Sequence, residues 1–102
     1  MPAYIISDVT IKDTDAIQEY RSRAAASIAA HGGRYVVRSG AVERLEGDWQ
    51  PNIIVVEFPD AASARRWYGS AEYARALELR DQALTRNLIL VEGAEAARSG
   101  TA

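Results

Sequence analysis

The stretch Ile53-Ile54-Val55-Val56-Glu57-Phe58 constrains this chain more than any other. A short, nearly unbroken run of apolar and β-branched residues is the mark of a strand covered on both faces. Such a strand belongs in the middle of a sheet, so the rest of the chain must supply its neighbours. Tyr4 to Ile11 reads as one strand and Tyr35 to Arg38 as another. Gly40 marks a bulge after which Val42 to Leu45 extends that second strand, and Glu46-Gly47-Asp48 forms the turn into the central one. Leu88 to Val91 reads as the last strand.

Helices fill the intervals. Asp13 suits an N-cap, because its carboxylate can accept from the free amides of a first turn. Ile17, Tyr20, Ala24 and Ile28 then recur at helical spacing, and Gly32-Gly33 ends the helix. After Pro59, Asp60 caps a second helix that turns Ala61, Ala64, Trp67 and Tyr68 inward. Gly69 interrupts it. Ser70 caps a fresh segment on which Tyr73, Leu77, Arg80 and Leu84 share a face.

The order β-α-β-β-α-β predicts an α+β, ferredoxin-like fold: a four-stranded antiparallel sheet with two helices on one face, and the first and third strands side by side in the centre. Strand alternation then divides the central pair. Ile5, Ser7, Val9, Ile11, Ile54, Val56 and Phe58 face the helices, and Tyr4, Ile6, Asp8, Ile53, Val55 and Glu57 face away. The second set is too apolar to be left wet. It predicts a homodimer in which two sheets pack face to face, with Asp8 and Glu57 at the seam.

Composition narrows the function classes. The 102 residues make one domain, placed at 1–93, with a loose tail of small and polar residues over 94–102. A formal charge of −2 argues against nucleic acid as a partner, since phosphate binding needs a basic patch. No apolar run is long enough to cross a membrane, and Met1-Pro2-Ala3-Tyr4 lacks the form of a signal peptide, so a cytoplasmic location is the natural reading. Without cysteine there is no thiolate nucleophile and no disulfide. One histidine cannot build a multi-histidine metal site within one chain, and no glycine-rich phosphate loop follows a strand, so neither metal nor nucleotide cofactor is expected.

The chain resembles a known family in Gly32-Gly33-Arg34-Tyr35 through Arg38, Leu45-Glu46-Gly47-Asp48-Trp49, Val56-Glu57-Phe58-Pro59, the segment Trp67 to Tyr73 with Arg80, and Val91-Glu92-Gly93. That family is domain of unknown function 1330 (DUF1330), in the dimeric α/β-barrel group. Ala71 departs from it, standing where proline is expected after the serine. The resemblance implies a ferredoxin-like protomer and a paired-sheet dimer. Related barrels include cofactor-free monooxygenases, isomerases and enzymes that decompose small aromatic or chlorinated compounds. By analogy of fold, the implied activity is that of a cofactor-free enzyme or binder for a small anionic or aromatic molecule. The alternative is a non-enzymatic homodimeric module whose polar groups only hold the fold.

Two readings stand for each candidate residue. His31 closes the first helix, either as a proton-transfer group in a pocket or as a cap on the negative end of the helix dipole. Asp8 and Glu57 are carboxylates on neighbouring strands that need partners if buried, with Arg38 and Arg80 the candidates. Functionally, Glu57 moves a proton, Asp8 orients it, and Arg38 and Arg80 hold an anionic substrate. Structurally, the same groups fix strand and dimer register. Tyr68 and Tyr73, with Trp67, either wall a pocket or fill the core. Pro2 would expose a secondary amine if Met1 were removed, but it more plainly opens the first strand.

Overall fold

The computed structural model describes residues 1–38 and 40–94. The elements run β1 (Ala3–Ile11), α1 (Thr14–Ala30), β2 (Arg34–Arg38), β3 (Asn52–Phe58), α2 (Ala61–Tyr68), α3 (Ala71–Ala83) and β4 (Leu84–Glu92). The sheet has the order β2-β3-β1-β4, with every neighbouring pair antiparallel. Of the expected tail, only Ala94 falls within the described residues.

Each helix starts where a side chain can satisfy its free amides. Asp13 Oδ1 accepts from the amides of Asp15 and Ala16, both at 2.9 Å. Asp60 Oδ1 accepts from Ser63 N at 2.7 Å, and that bond holds the Asp60 carboxyl below its ordinary pKa. Among the described residues there are three helices where two were expected, because Ser70 both ends and begins one. Its hydroxyl donates to Trp67 O at 2.7 Å and accepts from Tyr73 N at 3.1 Å. The chain therefore turns at Gly69 and continues as α3.

The two glycines after α1 serve different needs. Gly32 takes φ +79°, a left-handed conformation that favours glycine at a helix end. Gly33 is required by space, since a Cβ there would lie 2.7 Å from Phe58 Cε1 and 2.8 Å from Ile28 Cγ2. Both neighbours belong to the core.

Two strand boundaries differ from the expectation. Residues 42–45 are not strand: β2 ends at Arg38, opposite Ile54, and 40–51 form a loop in which Leu45 is 85% exposed. The irregularity in β2 falls between Tyr35 and Val37, ahead of Gly40. β3 offers only Ile53 and Asn52 beyond that pairing, and Pro51 lacks the amide that would extend it. At the other end, Leu84 opens β4 instead of closing the helix. It pairs with Ile11, while Lys12 N donates to Ala83 O at 2.8 Å.

Ile5, Val9, Val56 and Phe58 on one face of the sheet join side chains from all three helices in a single core. The opposite face bears no helix among the described residues. Across it run two registered rows, Arg34–Glu57–Tyr4–Val91 and Val37–Val55–Ile6–Ile89. The second row is apolar throughout, with Ile89 56% exposed. No helix among the described residues is long and apolar enough to cross a membrane.

Candidate functional site

A cavity of about 550 Å³ lies between α1 and the helix-side face of the sheet. Its walls are mostly apolar, from Ile5, Val9, Ile17, Ile54, Val56 and Leu88. Three arginines line it, Arg21, Arg38 and Arg86, and among the described residues no aspartate, glutamate or histidine does. Sheet register places two of these at opposite ends. Arg38 belongs to edge strand β2 and pairs with Ile54, whereas Arg86 belongs to edge strand β4 and pairs with Val9. Three strand spacings separate those edges, about 14 Å of backbone.

At the β4 end hydroxyls and a guanidinium line the cavity. Tyr20 Oη and Tyr73 Oη are 2.9 Å apart, and Arg86 Nη1 donates to Tyr20 Oη at 2.6 Å. The guanidinium also stands over both rings, 5.9 Å from the Tyr20 centroid and 5.7 Å from that of Tyr73. Among the described residues Arg86 makes no ion pair. Burial works against its charge, but the phenols of Tyr20 and Tyr73 outweigh it and raise its pKa. Burial, then the nearness of Tyr73, raises the Tyr20 phenol well above its ordinary value against the pull of Arg86, so Tyr20 is neutral.

Tyr73 is held from below. It is wholly buried, with its ring 4.2 Å from that of Trp67. Trp67 Nε1 in turn donates to Ser27 Oγ at 3.0 Å, and Ser27 Oγ to Ala24 O at 2.7 Å, which fixes the indole against α1. At the β2 end, Arg38 is exposed and stacks on Tyr35 at 4.2 Å. Burial raises the Tyr35 phenol pKa, and Arg38 and Arg21 oppose that rise.

The residues singled out from the sequence are dispersed. Arg38 and Tyr73 line this cavity. Tyr68 and Arg80 line a neighbouring one of about 430 Å³, which shares Arg86 with the first. Tyr68 is 47% exposed rather than inward, and Arg80 pairs with Asp81, Nε to Oδ1 at 3.3 Å, so it is not the partner of Glu57. Glu57 lies on the uncovered face, where its carboxylate accepts from Arg34 Nε at 2.8 Å and from Tyr4 Oη at 3.1 Å. Asp8, on the same face, accepts from Asn87 N at 3.2 Å and Gln50 N at 3.5 Å. Neither meets Arg38. His31 caps α1, and its Nε2 lies 2.8 Å from Glu72 Oε1, joining the end of α1 to the start of α3 outside the cavity.

Sequence reasoning passed over Arg86, took Arg21, spaced among acids, for solvated surface, and placed Tyr20 only as a member of an apolar stripe. A signal for Arg86 was present. Leu84, Arg86, Leu88 and Leu90 alternate, which puts the arginine on the apolar face of a strand. No group of three or more histidine, cysteine or acidic side chains placed to hold a metal occurs among the described residues.

The family model described as domain of unknown function (DUF1330) matches residues 2–94. Among solved structures, a protein of unknown function from Rhodopseudomonas palustris is similar at TM-score 0.73 and 18% identity, over 92% of this chain and 83% of that one. SnoaB, a cofactor-independent oxygenase from Streptomyces nogalater, is similar at TM-score 0.67 and 14% identity, over 96% and 98%. A dimeric protein of unknown function with a ferredoxin-like fold from Bacteroides fragilis is similar at TM-score 0.53 and 12% identity, over 90% and 96%. At these identities the likeness is one of fold. No curated protein matches the sequence.

Proposed function

We propose that this chain, which belongs to the DUF1330 family, binds a small organic anion with an apolar or aromatic body in the cavity beneath α1. One observation carries the reading: the cavity is lined by Arg21, Arg38 and Arg86 and, among the described residues, by no acidic side chain. A guanidinium withdrawn from water without a carboxylate is costly, and an anionic ligand would complete it with charge-assisted hydrogen bonds. The apolar walls suit the ligand body, and the volume is in the range of small-molecule sites. Arg38 and Arg21 at the β2 end would draw the anion in, with Tyr73 forming part of the wall. That SnoaB, of the same fold, is a cofactor-independent oxygenase is consistent with a small molecule held without a cofactor.

In this reading the protein is a homodimer formed through the uncovered sheet face. The apolar row Val37–Val55–Ile6–Ile89 would form its centre. Asp8 and Glu57, already bonded to their own sheet, would set the register of the seam; the dimeric structure of similar fold from Bacteroides fragilis supports a dimer as such.

Matched acid and amide pairs test the binding site. Benzoate should raise the melting temperature in a saturable way and lose its effect as salt is added, while benzamide should do nothing. Equal stabilisation by both, or by neither, would contradict an anion site.

A further inference from the structure

We infer that the Tyr20–Tyr73–Arg86 cluster is the seat of the ligand's anionic oxygen, which places the charged head at the β4 end of the cavity, away from Arg38. The inference rests on the cavity being a binding site. It follows from counting donors and acceptors. Arg86 Nη1 donates to Tyr20 Oη, and the two phenols share one further hydrogen bond. If Tyr20 donates to Tyr73, the Tyr73 proton has no acceptor among the described residues. If Tyr73 donates to Tyr20, the Tyr20 oxygen accepts twice and its own proton has none. Either way one phenol proton remains over, together with the guanidinium N–H groups that do not reach Tyr20.

All three side chains line the cavity, and no carboxylate among the described residues does. What completes the cluster must therefore accept several hydrogen bonds at one point and carry negative charge. A carboxylate or phenolate oxygen does both. A neutral amide or a cation does not. The neutral Tyr20 phenol cannot supply the charge, and the packing of Tyr73 on Trp67 keeps its hydroxyl from turning away. Arg38, exposed and stacked on Tyr35 at the opposite edge, has a different part, which is to meet the other end of the ligand. The ligand class is thus an elongated aromatic acid or phenol bound with its charged head toward β4.

The probe is 4-nitrophenol, whose absorbance reports its ionised form. Bound with its oxygen on this cluster, it should ionise at a pH lower than in free solution by about one unit, because donors to the anion favour the anion. Tyr20→Phe and Tyr73→Phe, each checked for native near-ultraviolet dichroism, should each shrink that shift, and Arg86→Met should abolish it. Two phenylalanine variants keep the test decisive if one of them folds poorly. Binding of 4-nitrophenol with no shift, or with a shift the three variants leave intact, would overturn the assignment while leaving the cavity as a binding site. Failure of both 4-nitrophenol and benzoate to bind would overturn the assignment and the binding site together.

Discussion

Arg86 and Tyr20 stand 66 positions apart in the chain, yet Nη1 of one lies 2.6 Å from Oη of the other. The contact ties the last strand to the first helix across the end of a cavity. It also sets a positive charge among neutral phenols, which is useful to the molecule chiefly if an anion joins them.

Tyr73 separates packing from polarity. Tyr73→Phe keeps the ring against Trp67 and leaves the Tyr20–Arg86 bond in place, so it should cost about 1 kcal/mol of stability. Tyr73→Ala empties a wholly buried site and should cost about 3–5 kcal/mol. Denaturant midpoints of the two variants check both figures.

Gly33→Ala should destabilise by about 1–3 kcal/mol, because the new methyl meets Phe58 and Ile28 well inside contact distance. Gly40→Ala meets nothing within 4 Å and should be neutral or slightly stabilising through the unfolded chain. Thermal melts of the pair would show whether close approach, and not glycine content, governs this end of α1.

These two glycines also mark what was legible in the sequence. The element order, the antiparallel sheet and the division of the β1 and β3 faces followed from alternation and helical spacing, which are local. The start of β4 did not, because Leu84 continues the spacing of Tyr73, Leu77 and Arg80, and only pairing with Ile11 makes it a strand. The end of β2 failed for the same reason, since strand length depends on what the partner offers. Tyr73 lines the cavity from the helix face that its spacing gave it, and Arg38, to which alternation assigned no face, lines it too. Asp8, Glu57 and His31 did not meet them, because sequence shows the face of a strand or helix but not which carboxylate reaches which cation across it.

Alkaline pH should reveal Tyr20. Its folded-state pKa lies above the ordinary 10.0, so the fold favours the neutral phenol. That contribution is complete below the unfolded value and is lost as pH rises toward the folded one. Stability should therefore fall above about pH 10, and Tyr20→Phe should flatten the decline. Melting temperature against pH, followed alongside tyrosinate absorbance, reads both.

The uncovered face should hold two copies together. Ile89→Lys puts a charge into the exposed apolar row, and light scattering should find the variant monomeric where the parent is a dimer. An unchanged dimer would place the interface elsewhere.

The most direct test of the anion site is to follow the arginine side-chain signals by nuclear magnetic resonance during addition of benzoate, with the Arg86 signal identified from Arg86→Met. The cavity reading predicts that the Arg86 signal moves saturably to a one-to-one end point. Movement confined to exposed arginines such as Arg65 and Arg66, without saturation, would contradict it.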